Sequence, residues 1–558
     1  MFSHPTPSAP PPGFIPGTVH LVDLEGTISS RHADGVRDVV LIPTPSSNPD
    51  DPLNWTPRRK FQLLCCLSVY CLSNGIASAA IYSILVPISS ATSLTVGDLN
   101  AGTGYMFLTL GWGCLLWQPL AQKYGKRPVY LLSLLGTLCI MVWAPHAPIG
   151  GQWIANKVLQ GLFGAPIESL CEISIADVWF THERGTYMGY YALFLYGSNF
   201  LAPVIAGFIN DGQGWEWVLV RPRRVSLARY GLLTIYKHWC AIFCGVGFLM
   251  CFFLMEETNY QRLIVLDAEV YAPADGGSYE EKGFQAGPEA DKTAGTQSDV
   301  NLKSSSRKKF LDKIKPFSRR DMNLQASLRS MVVRPFVYLS FPVIVFSGFM
   351  YGAILCYFNV LNGTASLILS SSPYNLRASI VGLSYVSCLV GVAVGTLYSG
   401  HLGDRFILWK ARRNNGIMEP EFRLWIFSVL MITIPGSLLL WGVGAAHQVH
   451  WFGLIFAMGA LSGGVTAGSQ LAITYCIDSY KELGGYTIVT VILIRNTMSF
   501  AVNYGITPWV TNMGWQNAFL VAAFAALAQI ALFLVMIKWG RQLRQNSVKS
   551  YWRHRQHD

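Results

Sequence analysis

The sequence predicts an all-α membrane protein, with twelve transmembrane helices in two six-helix bundles. Three observations predict it. The 558 residues are 51% hydrophobic and only 13% charged, roughly half the charged share of an ordinary soluble domain. The apolar residues come in blocks of about 20, long enough to cross a hydrocarbon core as helices. A long polar stretch divides those blocks six and six.

Residues 1–59 open with PTPSAPPPGF and are polar and Pro-rich, which predicts a disordered cytoplasmic tail. No cleavable signal peptide is expected, and the first apolar block is read as its own insertion signal. The N-terminal bundle, 60–255, holds predicted spans at 61–87, 103–121, 128–145, 151–176, 185–209 and 239–255. Residues 256–333 are a polar cytoplasmic linker. It contains ADGGSYEEKGFQAGPEADKTAGTQSD and ends in SSSRKKFLDKIKPFSRRD, where a basic membrane-surface helix is expected. The C-terminal bundle, 334–538, holds spans at 335–359, 378–400, 423–444, 449–476, 485–507 and 516–538, and a basic cytoplasmic tail occupies 539–558. The 12 Cys fall mostly inside apolar blocks with no metal-ligand or secreted-disulfide spacing, and read as packing residues.

Lys and Arg set the orientation. QKYGKRP, FTHERG, DRFILWKARRNNG, DSYKELGG and the basic tail fall on one side. HAPIGG, GAAHQVH and TPWVTNMGWQ fall on the other, where Arg377 is the one basic residue outside 210–238. Both termini are therefore expected in the cytoplasm. The net charge of +11 follows from those inner connections and calls for no nucleic acid. Asn362, in Asn362-Gly363-Thr364, then falls in an outer loop and is a weak glycosylation candidate. One outer segment breaks the charge rule: VRPRRVSLARYGLLTIYK, 220–237, with Arg221, Arg223, Arg224, Arg229 and Lys237. Without it, GWEWVL joins HWCAIFCGVGF as a short outer loop and span start. Codons for Val220-Arg221, Leu233-Thr234 and Lys237 can also be written as intron donor, branch and acceptor. A retained intron or gene-model error is expected over a genuine outer insertion, and the segment is expected to pack poorly.

Six spans, a linker and six spans suggest a duplicated transporter. GWGCLLWQPLAQKYGKRP after the second span is echoed by GTLYSGHLGDRFILWKARR after the eighth. Glu168 and Glu172 share one face of the fourth span, near mid-depth. Carboxylates are expensive there and mark function. A proton and an organic cation would compete for the pair, the simplest form of antiport. A fixed ion pair with Arg495, in the middle of the eleventh span, is the structural alternative. Arg495 itself reads as structural, with anion binding as its other role. No paired His, nucleophile elbow or metal-ligand cluster lies inside the spans, so no enzyme and no cofactor are expected.

DPLNWTPRRK, QGLFGAPIESLCEISIADVWFTHERG, LNGTASLILS, ARRNNGIMEPEFRLW and RNTMSFAVNYGITPWV resemble the major facilitator superfamily. The likeness is to its fungal twelve-span drug:proton antiporter type, the branch with multidrug exporters and polyamine or organic-cation carriers. It implies a proton-coupled antiporter that exports small cationic or amphipathic compounds by alternating access. A proton-coupled importer of a polyamine or nutrient is the alternative, and a transporter-like sensor is less favoured. Small-molecule substrate, protons and the bilayer are the implied partners, for a monomer in the plasma membrane or, alternatively, the vacuolar membrane.

The resemblance also distributes roles. A cytoplasmic latch after the second and eighth spans would use Lys123 and Arg127, with Gln118 and Gln122 where Gly and Asp are usual, and Gly400, Asp404 and Arg405. Asp177, Glu183 and Arg184 could share it. Lys157 stands where the proton-coupling motif has Arg, ahead of Gln160 and Gly161. Gly197, Pro203 and Gly207 resemble the packing motif of antiporters, with Ala202 in place of a Gly. Cavity residues would come from the first, fourth, seventh and tenth spans: Asn74, Tyr82, Tyr351, Asn359, Gln470 and Tyr475.

Overall fold

The computed structural model describes residues 14–20, 32–33, 36–40, 51–91, 94–144, 150–213, 239–260, 328–480 and 483–555. Among these, the N-terminal half consists of α1 (Pro57–Ala79), α2 (Leu85–Ala91), α3 (Val96–Tyr124), α4 (Lys126–Trp143), α5 (Gly150–Gly164), α6 (Pro166–Val178), α7 (Thr181–Gln213) and α8 (Trp239–Leu254). The C-terminal half consists of α9 (Leu328–Val337), α10 (Pro342–Ser370), α11 (Ala378–Leu397), α12 (Gly403–Arg413), α13 (Phe427–Ala446), α14 (Trp451–Ser479), α15 (Gly484–Asn546) and α16 (Val548–Arg555). Nine helical stretches of the described residues are long and apolar enough to cross a membrane, and α8 is shorter and apolar. α15 breaks at Gly514, whose φ of 73° favours glycine, so two helical arms run as one element. The chain is an integral, multi-pass membrane protein.

Residues 14–20 do not form the disordered tail that the composition predicts. Phe14, Ile15 and Val19 are buried, and β1 (Val19–His20) pairs antiparallel with β4 (Ile417–Met418). A second small ribbon joins β2 (His32–Ala33) to β3 (Val36–Val40). The Pro-rich composition hid three apolar side chains that the fold buries. The seventh span also differs: Phe341 is extended, Pro342 opens α10, and the helix runs on to Ser370. Asn362 is therefore a buried helical residue, 1% exposed, which overturns the expectation of a glycosylated outer loop. The helical C-terminus runs through α16, where Tyr551 and Trp552 are buried. The 220–237 segment and the basic end of the linker at 304–321 lie outside the described residues.

The two halves meet through α7 packed on α11 and α3 packed on α15. Close approach needs small residues. A Cβ on Gly382 would sit 2.6 Å from the Pro203 carbonyl, and one on Gly207 would sit 2.5 Å from that of Ala378. Gly197 faces Leu389 of α11 in the same seam. The residues of the antiporter-like motif thus form this contact.

At the start of α3, Thr95 and Asp98 make a reciprocal cap. The Asp98 N–H donates to Thr95 Oγ1 at 3.1 Å, and the Thr95 N–H donates to Asp98 Oδ2 at 3.0 Å. The hydrogen bonds from Thr95 hold the exposed Asp98 carboxyl below its usual range. A depressed carboxylate contributes stability above its unfolded pKa and loses it as pH falls through the folded value. Asp98→Ala is expected to cost about 0.5–1 kcal/mol near neutrality. Thermal unfolding in detergent should show that deficit shrinking below about pH 4; a deficit independent of pH would leave the cap without an electrostatic part.

Candidate functional site

The fourth span breaks between α5 and α6. Pro166 has no N–H to donate and disfavours a helical residue before it. The break places Glu168 in the first turn of α6, the helix end whose dipole suits a carboxylate. Glu168 is buried, and Arg495 of α15, in the other half, forms an ion pair with its Oε1. Asn496 Nδ2 donates to Oε2 at 2.5 Å. The Arg495 guanidinium also stacks over Tyr351, 4.3 Å from the ring centroid. The Tyr351 hydroxyl lies 3.2 Å from that of Tyr196, which lies 2.8 Å from Ser469 Oγ. One polar chain thus crosses from α6 and α7 to α10, α14 and α15.

Beside this chain lies a cavity of about 60 Å³, lined by Asn74, Thr137, Gln160, Glu168, Tyr196, Asn199 and Arg495 among others. Pockets for small molecules are roughly 300–1,000 Å³, so this one is smaller than a typical small-molecule site. The two halves are bridged at both ends. At the end that carries the termini, Thr186 Oγ1 donates to Asp404 Oδ2 at 3.2 Å, and Gln470 Nε2 donates to the Gly185 carbonyl at 2.8 Å. Gln118 abuts Gly485 there, across the same interface. At the opposite end Asn100 Nδ2 donates to Thr507 Oγ1 at 3.2 Å, and the Ser379 N–H donates to Asp211 Oδ2 at 3.0 Å.

The predicted residues divide accordingly. Glu168, Arg495 and Asn74 line the cavity, and Tyr351 flanks Arg495. Asn74 is held by the Tyr70 carbonyl and by Thr137. Glu172 lies one turn further along α6, 1% exposed, and its Oε2 has no hydrogen-bond partner among the described residues. Lys157 is buried and, unlike Gln160, does not itself line the cavity. Its Nζ donates to Gln160 Oε1 at 2.9 Å and lies 4.9 Å from the Trp153 ring centroid. Tyr82 is buried in the turn after α1 and Asn359 inside α10, and neither lines the cavity. Gln470 and Tyr475 also fall elsewhere. Gln470 bridges the halves at the end that carries the termini, and Tyr475 stands against Phe346 and the Gly540 backbone.

The latch residues divide too. Asp404 crosses between halves and meets the first turns of α7. Its other oxygen accepts from Arg423 Nη1 at 3.4 Å, and Arg423 Nε donates to Asp478 at 2.6 Å. Asp177 instead pairs with Lys126 within its own half. The Arg127 side chain donates to the Phe252 carbonyl and its N–H to Glu257; Arg184 donates to the Ala176 carbonyl. Glu183 lies beside His182, Lys123 beside Tyr124, and Arg405 is exposed. These contacts of Asp177, Arg127 and Arg184 lie within their own half.

Sequence reasoning missed Asn496, Tyr196, Ser469, Arg423 and Asp478. The Arg-Asn pair inside an apolar span was a usable signal for Asn496. Arg423 had none, because it reads as the first residue of the predicted span 423–444, whereas it lies in the buried 3-10 turn Pro420–Ile426 that precedes α13.

Residues 63–220 match the Major Facilitator Superfamily. An uncharacterized MFS-type transporter of Schizosaccharomyces pombe is 27% identical, over 97% of this chain and 95% of its own length. Protein HOL1 of Saccharomyces cerevisiae is 26% identical, over 96% of each chain. Among solved structures, the proton:xylose symporter XylE bound to 6-bromo-6-deoxy-D-glucose aligns with a TM-score of 0.54, covering 87% of this chain and 97% of that one. Its 11% identity makes the likeness one of fold.

Proposed function

We propose that this chain, a member of the major facilitator superfamily and so a secondary transporter rather than an enzyme, works as a proton-coupled antiporter that exports small organic cations. The observation that carries this reading is the Glu168–Arg495 pair, which joins the two halves at the wall of a small central cavity. Arg495 then acts as a built-in cation. A proton or a substrate cation that takes Glu168 releases Arg495, and with it one tie between the halves. Because both compete for one carboxylate, inward proton movement drives outward cation movement. Glu172, without a hydrogen-bond partner at Oε2, offers a second carboxylate on the same face. Tyr351 and Tyr196 present aromatic faces suited to a cation that displaces the guanidinium. The packing of Gly207 and Pro203 on α11 supports export, since that motif resembles the one in antiporters.

Purified protein in liposomes tests this with a polyamine (spermidine) and a quaternary ammonium ion (tetraethylammonium). Uptake should occur when the lumen is acidic and stop when the gradient is dissipated. Accumulation that follows protons in the same direction would replace antiport with symport.

A further inference from the structure

We infer that residues 14–19 are an intramolecular strap that docks on the inner end of the C-terminal half and holds the Asp404 latch in place. Three sets of contacts converge there. Val19 packs on Ile407, Ala411 and Met418, and the first two belong to α12, the helix whose first turn carries Asp404. Gly17 has a φ of +81° and lies directly on the end of α14. A Cβ there would sit 2.6 Å from the Asp478 carbonyl oxygen and 2.9 Å from the Ser479 backbone. Asp478 is also the residue that grips Arg423, which in turn grips Asp404.

The third contact is a capped ion pair. Arg544, fully buried, donates Nε and Nη2 to the two oxygens of Glu421 at 2.9 and 2.6 Å. Its Nη1 donates to the Pro16 carbonyl at 2.5 Å and to Thr18 Oγ1 at 3.0 Å. The strap thus completes the guanidinium's hydrogen bonds. Glu421 and Arg423 share one 3-10 turn, so fixing Arg544 fixes the turn that positions Asp404. Phe14 anchors the strap's other end, stacked on Tyr551 at 6.1 Å and edge-on to Trp552 at 5.5 Å.

Two-state elements respond to whatever binds one state better. The strap contacts the latch helix and the two residues that align Asp404, while Asp404 bonds to Thr186 of the other half. Docking therefore favours the arrangement closed at the inner end, and release favours its opening. The inference rests on the two-bundle transporter reading, and on neither the substrate nor proton coupling.

The test reads the inner interface without substrate. Gln118→Cys, introduced into the full chain, places a reporter thiol against Gly485, and the parent chain supplies the background from native cysteines. A membrane-impermeant maleimide applied to the inner face should label it about tenfold faster when Gly17→Val or Phe14→Ser is added, a population shift of one decade. In a second arm, a chain lacking residues 1–20 should bind a fluorescent FIPGTVH peptide, should not bind its Gly17→Val form, and should return to slow labelling when the peptide is added. Labelling within about twofold of the Gln118→Cys protein in both variants would overturn control of the latch. Failure of the truncated chain to bind the peptide would overturn docking itself. A chain that labels as expected yet moves no cation would sink the transport mechanism and leave the strap standing.

Discussion

Glu168→Gln is expected to reduce pH-gradient-driven cation flux by about 100-fold. The substitution preserves shape and leaves an acceptor for Asn496, but it removes both the charge that attracts a cation and the site that binds a proton. Truncating one partner of a buried charge pair costs roughly 2–5 kcal/mol, and every 1.4 kcal/mol is about a factor of ten, so the estimate sits inside that range. Glu172→Gln is expected to act differently. Glu172 lies deeper, one turn from the pair, so its loss should change the steepness of the pH dependence more than the flux at saturating substrate. Initial rates of spermidine and tetraethylammonium uptake, measured over a series of lumenal pH values, separate the two. If Glu168→Gln keeps flux within about threefold of the parent and the same response to the gradient, the shared-carboxylate mechanism fails.

The order of these effects follows from what local sequence can encode. Hydrophobic blocks and the sign of loop charges are properties of contiguous residues, so the division into halves and the multi-pass character were legible. The Glu168/Glu172 face was legible for the same reason, because two positions four apart on a helix share a side whatever surrounds them. Arg495 could be named as a partner because a buried guanidinium in an apolar span needs an acid.

Depth and rotation were less legible. Knowing that a span lines a cavity does not say which of its turns does so. α14 is 29 residues long, about 43 Å at 1.5 Å per residue. Ser469 reaches the central tyrosines while its neighbour Gln470, rotated by about 100°, bonds to Gly185 at the end that carries the termini instead. The latch shows a related limit. Lys126, Arg127, Asp177 and Arg184 sit where inner loops gather charge, and charge alone does not tell a tie within one half from a tie across halves. Asp404 was placed against the other half because Arg423 and Asp478 aim it. The strap was the least legible element. Its Pro-rich surroundings read as disorder, and its acceptor surface is assembled from α12, α14, α15 and α16, segments that lie more than 380 residues away in the chain.

Arg495→Met should separate the structural duty of the central pair from its transport duty. Alone it strands Glu168 with Asn496 as its remaining hydrogen-bond donor, and breaking a buried pair from one side costs about 3–5 kcal/mol. A comparable loss is expected for Glu168→Gln, which strands Arg495 over Tyr351. The double variant removes both charges, so neither is left uncompensated, and replacing a buried pair by groups of similar volume is often close to neutral. Thermal unfolding of the four proteins in one detergent should therefore show a coupling of at least about 2 kcal/mol, with the double variant more stable than either single one. Its transport should not recover, because no residue remains at that point to exchange a proton for a cation. Strict additivity in the cycle would mean that the two side chains do not act on each other. Recovery of gradient-driven flux in the double variant would mean that the pair is a strut between the halves, and that proton and substrate meet at another carboxylate, with Glu172 the first to examine.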